Sequence, residues 1–312
     1  MTAHGNNGDN SIHVIADPQG NQNVEFVNTE LPDVIELKGV RQKYGEKLVI
    51  DDCNLLIEDH PNTGQFITIL GASGCGKTTI LNYIAGLQKP TSGEVLINSR
   101  PIELADPISM VFQKYSSFPW LSVLGNVMLP LILKGVSKKE AREKAHEMID
   151  KVGLDGHEQK FAQDHILSGG QLQRVAIARS LISNPRIILM DEPFGALDTN
   201  TRFDMQIMLS EIWLMLKSTI ILVTHDISEA VFLSDDIFFM SANPGKIVDY
   251  YKVDLPLERP RELKHSAEFF RIRNEVEDTL YAIRQKQREE ERRQKEAARA
   301  AKKTAAESVG KK

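Results

Sequence analysis

Residues 66–78 are Phe-Ile-Thr-Ile-Leu-Gly-Ala-Ser-Gly-Cys-Gly-Lys-Thr. The segment begins with an apolar run, which predicts a buried strand that ends at Gly71. Residues 71–78 match the pattern G-x-x-x-x-G-K-[ST] in full, and residues 77–87 predict a helix. Glycines in such a turn let backbone N–H groups surround phosphate oxygens, and the helix dipole favours the same anion. The segment therefore predicts a nucleoside triphosphate site, and an ordinary glycine-rich turn explains it poorly.

Apolar segments on both sides of this loop predict further strands of an α/β fold. They lie at residues 34–37, 55–57, 95–97, 187–190 and 220–223. The order strand, loop, helix, strand over residues 66–97 is typical of a parallel sheet. Residues 115–164 predict a helical insert, and within it residues 137–152 form an amphipathic pattern. The apolar face of that pattern consists of Ala141, Ala145, Met148, Ile149 and Val152.

Bulk composition favours a soluble protein with a packed core. The chain has 312 residues, of which 41% are hydrophobic and 26% charged, with a net charge of −5. No apolar run approaches the ~18 residues that span a bilayer, and the N-terminus lacks a secretory pattern. Cys53 and Cys75 form no disulfide framework, and Cys75 is expected to be a small filler in the loop. We therefore expect a cytoplasmic protein whose membrane role, if any, comes through a partner.

Two carboxylates follow the apolar strand at 187–190. Asp191 is expected to hold Mg²⁺, directly or through water, together with the Thr78 hydroxyl. Glu192 is placed to orient and deprotonate an attacking water, while Lys77 reaches the β- and γ-phosphates. A strand capped by an acidic turn would explain the pair alone, but the phosphate loop upstream favours the catalytic interpretation.

Residues 167–171 are Leu-Ser-Gly-Gly-Gln, followed by an alanine-rich helix. Ser168 and the two glycines form a second anion-binding helix start, which one nucleotide does not need. In this order the motifs resemble the ATP-binding cassette of ABC transporters, from about residue 34 to residue 273. The resemblance implies a P-loop NTPase fold of the ABC type, with a mixed sheet core and a helical subdomain at 114–178 inside an ATPase domain at 34–265. It also implies that residues 168–171 face the γ-phosphate held by a second subunit.

The resemblance implies roles for four further residues. Gln113 contacts Mg²⁺ and senses a transmembrane partner, Asp198 belongs to a loop that crosses the dimer interface, and His225 contacts the γ-phosphate. Tyr44 stacks on adenine, although a core tyrosine beside a turn is the alternative. The expected catalytic residues are Glu192, His225 and Gln113, and the expected metal ligands are Thr78, Gln113 and Asp191. The expected nucleotide contacts are Tyr44, Gly71, Ala72, Ser73, Gly74, Cys75, Gly76, Lys77, Thr78, Thr79, Ser168, Gly169, Gly170, Gln171 and Asp198. The expected cofactors are ATP and Mg²⁺.

A cassette without membrane segments resembles the ATPase subunit of bacterial importers, and the closest likeness is to the nitrate, sulfonate and taurine type. Residues 118–121, 225–231 and 243–247 carry that likeness. It implies an integral-membrane permease, a second cassette of the same or another kind, a periplasmic solute-binding protein and a place at the cytoplasmic face of the membrane. No nucleic-acid partner is expected. Phe118 and Trp120 either dock the permease or pack internally, and an exporter or lipid-transport ATPase is the alternative function.

The two ends of the chain differ from its centre. Residues 1–33 predict a flexible lead-in, although the apolar patch at 24–27 could pair as a strand. Residues 266–283 predict an amphipathic helix with an apolar face of Phe269, Ile272, Val276, Leu280 and Ile283. Residues 284–312 carry 11 basic and 5 acidic groups and predict a charged tail. That tail could be solvated, lie near anionic lipid or bind a partner.

Overall fold

A computed structural model describes residues 12–16, 22–26, 33–58, 64–105, 108–114, 116–163 and 165–309. Among these residues the central sheet has six strands, in the order β12-β11-β5-β10-β9-β8. Their bounds are β5 (Phe66–Gly71), β8 (Ser109–Val111), β9 (Ile187–Asp191), β10 (Thr219–Thr224), β11 (Asp236–Met240) and β12 (Ile247–Lys252). The strands run parallel except β12, which pairs antiparallel with β11. The predicted α/β fold with a mixed sheet is confirmed.

Alternate residues of the central strands face two separate hydrophobic cores. Ile67 and Ile69 of β5 lie in one core, while Phe66 and Leu70 lie in the other. Every residue of β5, β9 and β10 is buried. Such burial on both faces explains why these strands are continuous apolar runs in the sequence.

A second, antiparallel sheet packs beside the first, with the described strands in the order β4-β3-β6-β7. Its members are β3 (Asp33–Tyr44), β4 (Lys47–Glu58), β6 (Ser92–Ile97) and β7 (Arg100–Pro101). The sequence order predicted that 95–97 would join the parallel sheet, and this prediction is wrong, because β6 pairs antiparallel with β3. The polar start of β6 is exposed, so the strand cannot be covered on both faces as a parallel strand is.

Helices α2 (Val123–Leu133) and α3 (Lys138–Lys151) lie in the region that the sequence predicted as an insert, and α4 (Gly169–Leu181) follows it. The predicted apolar face of α3 is buried, and Ser137 caps its N-terminus. The helices beside the central sheet are α1 (Lys77–Ile84), α5 (Thr199–Leu216) and α6 (Ile227–Leu233). Helix α1 is shorter than its pattern suggested, since Gly86 takes a φ of 69° soon after Ile84.

Helix α7 (Ala267–Val309) begins where the sequence predicted and continues through most of the charged tail. The predicted apolar face from Phe269 to Ile283 is buried against the body. At the other end, β1 (Ile12–Ala16) and β2 (Gln22–Phe26) pair with each other as an antiparallel hairpin inside the predicted lead-in. The remainder of that lead-in lies outside the described residues. Within the described part of the chain, no helix is long and apolar enough to span a bilayer.

Candidate nucleotide-binding and hydrolysis site

The phosphate loop, residues 71–78, connects β5 to α1. Gly74 and Gly76 take φ angles of 79° and 110°, which L-residues with a Cβ rarely adopt. A Cβ on Gly71 would lie 2.7 Å from the carbonyl oxygen of Met240, so any larger residue at this position would clash with the backbone. The glycine spacing is therefore required by the path of the loop, independent of any ligand.

Lys77 and Thr78 begin α1 and point back into the loop. The Lys77 ammonium donates to the carbonyl oxygens of Gly71 and Ala72, both at 3.0 Å, and the residue is 4% exposed. The Thr78 hydroxyl donates to Asp191 Oδ1 at 3.0 Å. Burial raises the pKa of Asp191, and the Thr78 hydrogen bond opposes that shift. This pairing places a hydroxyl and a carboxylate together, as Mg²⁺ held by protein and phosphate oxygens requires.

Glu192 lies where several elements meet. Its Oε2 accepts from Gln113 Nε2 at 3.3 Å and lies 3.2 Å from His225 Nδ1, and its Oε1 lies 3.6 Å from Lys77 Nζ. Gln113 follows β8, Glu192 follows β9 and His225 follows β10. The carboxyl ends of parallel strands share one edge of the sheet, which is where α/β proteins bind ligands. The structure thus brings together Lys77, Gln113, Glu192 and His225, all expected from their motifs.

The backbone around His225 is held by hydrogen bonds on both sides. The Thr224 hydroxyl donates to Glu229 Oε2 at 2.7 Å and accepts from the N–H of Asp226 at 3.1 Å. The Asp226 side chain caps α6 by accepting from the N–H of Glu229. Burial raises the pKa of Glu229. His225 itself is exposed, so its imidazole is presented from a fixed backbone.

Residues 168–171 form a capping box at the start of α4. The N–H of Gln171 donates to Ser168 Oγ at 3.3 Å, and the N–H of Ser168 donates to Gln171 Oε1 at 2.9 Å. Gln171 Nε2 lies 2.9 Å from His157 Nε2. Among the residues described, no hydrogen bond or ion pair joins 168–171 to the phosphate loop of the same chain. That residues 168–171 contact a nucleotide held by a second subunit stays a prediction.

Asp198 and Tyr44 lie at the surface. Asp198 Oδ1 caps α5 by accepting from the N–H groups of Asn200 and Thr201, each at 3.1 Å. A hydrogen bond with the Thr201 side chain lowers the pKa of Asp198 most, and the backbone N–H groups of Thr201 and Asn200 lower it further. Tyr44 is 53% exposed, and its hydroxyl accepts from Gln88 Nε2 at 2.8 Å. An exposed ring is not a core tyrosine, and stacking on a base stays a prediction.

A family model described as ABC transporter matches residues 58–195. An uncharacterised ABC transporter ATP-binding protein of Methanocaldococcus jannaschii is 44% identical over 80% of this chain and 89% of its own length. The nitrate import ATP-binding protein NrtD of Synechocystis is 41% identical over 76% of this chain and 90% of its own length. The taurine import ATP-binding protein TauB of Escherichia coli is 37% identical over 81% of this chain and 99% of its own length.

A dimeric structure of the ATP-binding cassette MJ0796, in a post-hydrolysis state with ADP and Pi, is 35% identical and has a TM-score of 0.61. It covers 71% of this chain and 100% of that one. The chain belongs to the ABC transporter family. The predicted P-loop NTPase fold of the ABC type is confirmed.

The structure of this ABC family member also contains functional candidates that sequence reasoning missed. Arg202 donates to the carbonyl oxygen of Leu197, and its guanidinium lies 3.5 Å from Asp226 and 3.8 Å from Glu229. It therefore connects the segment before Asp198 with the residues that flank His225. The sequence shows that Arg202 lies four residues after Asp198. It contains no pattern that predicts the packing of α5 against α6, on which the contacts of Arg202 depend.

Proposed function

We propose that this chain is the ATP-hydrolysing subunit of an ABC importer that takes up a small anion-like solute of the nitrate, sulfonate, taurine or bicarbonate type. The observation that carries the proposal is the convergence of Lys77, Gln113 and His225 on Glu192, at 3.6, 3.3 and 3.2 Å. The ATPase assignment also agrees with the family and with the ADP and Pi bound in the related cassette.

The residues of this site have separate roles in hydrolysis. The loop N–H groups and Lys77 bind the phosphates, and Glu192 holds the attacking water and accepts its proton. His225 approaches the γ-phosphate from the carboxyl end of β10, and Tyr44 stacks on adenine. Thr78, Asp191 and Gln113 would hold Mg²⁺, which would supply positive charge to offset the negative charge on the phosphates. After hydrolysis, inorganic phosphate and ADP are separate anions in the same site and repel each other.

The site requires a second cassette. Ser168, Gln171 and Asp198 lie at the starts of α4 and α5, where helix N–H groups can bind an anion. In a head-to-tail pair, each ATP lies between residues 71–78 of one subunit and residues 168–171 of the other. The related cassette was solved as a dimer, which supports this arrangement.

The aromatic residues after Gln113 form the surface where the permease docks. Trp120 is 68% exposed, and its ring lies 5.1 Å from the ring of Phe118 between centroids. Asn126 holds the Phe118 backbone through hydrogen bonds in both directions, and the Arg179 guanidinium lies 4.7 Å above the Phe118 ring. An exposed aromatic on a supported backbone suits an interface anchor. Docking there places the chain at the cytoplasmic face of the membrane, with a solute-binding protein on the other side.

The test is affinity purification of tagged Glu192→Gln protein from detergent-solubilised membranes in ATP and Mg²⁺. Without the Glu192 carboxylate, bound ATP is not hydrolysed, so the complex should persist through purification. We expect a polytopic permease and a solute-binding protein, and Trp120→Ala in the same background should recover less permease. Recovery of a soluble partner without a membrane protein would contradict the transport proposal and leave the ATPase assignment in place.

A further inference from the structure

Helix α7 contacts the body beyond Ile283, the last residue of its buried apolar face. Gln287 Nε2 donates to the carbonyl oxygen of Ala242 at 3.2 Å, and Asn243 Nδ2 donates to Glu291 Oε1 at 3.4 Å. Residues 283, 287 and 291 are spaced by four, so they share one side of the helix. The beginning of the charged extension is therefore docked, and the segment it contacts is the turn at 241–246 between β11 and β12.

The 241–246 turn is held firmly by its own hydrogen bonds and by β4. The N–H of Ser241 donates to the carbonyl oxygen of Lys246 at 2.8 Å, which closes the turn. The N–H of Gly245 donates to the carbonyl oxygen of Val49 at 2.8 Å, and the carbonyl oxygen of Gly245 accepts from the N–H of Asp51 at 3.1 Å. A displacement of Ala242 therefore displaces the whole 241–246 turn.

The turn packs directly behind the phosphate loop. A Cβ on Gly245 would lie 2.1 Å from the carbonyl oxygen of Cys75, so the two backbones are in close contact. Met240, which ends β11, has its Cε 3.3 Å from the position of a Cβ on Gly76. Because no space separates the turn from the loop, a shift of the turn must change the position of the N–H groups that bind phosphate.

We infer that Gln287 is a positioning residue for ATP binding, which acts through Ala242 and Gly245 on the backbone of Cys75. The inference rests on the proposed function, in that residues 71–78 bind the phosphates of ATP. The hydrogen bond of Gln287 is made to the 241–246 turn and not to the residues around Glu192. Its loss should therefore weaken nucleotide binding and leave the chemical step unchanged.

The experiment compares steady-state ATP hydrolysis of the wild type with that of Gln287→Met, which keeps helix propensity and size but removes the donor. One lost hydrogen bond of ordinary strength corresponds to a change of about fivefold in an equilibrium constant. We expect KM for ATP to rise, by at most about that factor, with kcat unchanged. Gln285→Met is the matched control, since the Gln285 side chain makes no hydrogen bond within the described part of the chain, and the KM of this variant should equal that of the wild type.

Two further variants make the result decisive. Gln287→Lys retains an N–H donor and should restore KM toward the wild-type value. A chain that ends at Gln285 keeps the apolar face of α7 and should show a KM at least as high as Gln287→Met. If the KM of Gln287→Met is unchanged, or if only its kcat falls, the inference on Gln287 is overturned. Turnover of ATP by the wild type in the same assay would still support the proposed ATPase function. Absence of turnover in the wild type would instead count against the proposed function.

Discussion

Glu192 has a backbone φ of 42°, a conformation in which a residue with a Cβ is uncommon. Its N–H donates to the carbonyl oxygen of Val223 at 3.0 Å, which ties the turn after β9 to β10. The chain therefore leaves the line of β9 at this residue and directs the carboxylate toward Lys77 and His225. Such unfavourable backbone conformations persist where the surrounding structure enforces them, and they cluster at functional sites.

Lys264 is a half-buried cation that interacts electrostatically with Asp226 and Glu229, the carboxylates that flank His225. Its ammonium lies 4.4 Å from the ring centroid of Phe203 and 4.6 Å from that of Phe232, and it donates to Gln206 Oε1. Burial lowers its pKa to about 8, while the carboxylates of Asp226 and Glu229 oppose the shift and the Arg202 guanidinium adds to it. Since the ordinary pKa of a lysine side chain is 10.5, the folded state releases this proton more readily than the unfolded state.

This shift predicts that Lys264 makes stability depend on pH. Below pH 8 the lysine is charged in both states, so the penalty of burying the charge is fully present. Between about pH 8 and 10.5 the unfolded state binds more protons, and the free energy of unfolding rises with pH. Urea denaturation at about pH 7.5, below this window, and at about pH 9.5, within it, should show that rise in wild type relative to Lys264→Met. Lys139→Met, an exposed control on α3, should follow the wild type, and parallel behaviour of wild type and Lys264→Met would refute the prediction.

At the scale of elements, burial explains which parts of the fold were predictable. Strands β5, β9 and β10 are buried along their whole length, so each is a continuous apolar run that the sequence shows directly. Their neighbours were not predictable, because β5 pairs with β10 and β11 from distant parts of the chain. A local pattern contains no information on such partners, and β6 was placed in the wrong sheet for the same reason.

The residues of the candidate site also differ in how far the sequence could predict them. The residues of the phosphate loop, Asp191 and Glu192 follow from short motifs with their own mechanism. The contacts of Gln113 and His225 with Glu192 depend on strand order, so motif recognition could name them but could not show that they meet. Arg202 was missed altogether, since its link between the segment before Asp198 and the His225 segment arises only when α5 packs against α6.

The capping box of α4 allows structural and functional roles of Ser168 to be separated. Ser168 and Ser137 both accept from the third N–H of their helices at 3.3 Å, so Ser168→Ala and Ser137→Ala should each reduce stability by about 1 kcal/mol. Only Ser168 belongs to the proposed contact with a partner's ATP. Thermal unfolding combined with ATPase assays should therefore show equal losses of stability and a large loss of turnover in Ser168→Ala alone. Equal turnover in the two variants would leave Ser168 with a purely structural role.

At the scale of the whole molecule, the proposed function assigns residues 71–78 and residues 168–171 to the same ATP from two different subunits, so on this proposal one chain completes no ATP site. ATP that contacts both segments binds the pair more tightly than the single chain and drives dimerisation by mass action. Glu192→Gln with ATP and Mg²⁺ should sediment as a dimer, and ADP should leave it monomeric.

Adding Ser168→Arg to Glu192→Gln should keep the protein monomeric in ATP, because the larger side chain fills the space that the partner's γ-phosphate would occupy. Ser137→Arg in the same background places the same charge at the start of α3, away from the proposed interface, and should still dimerise. Sedimentation velocity distinguishes these outcomes directly. A dimer that forms without nucleotide, or one that Ser168→Arg leaves intact, would show that the chains associate through another surface and that residues 168–171 do not complete the partner's site.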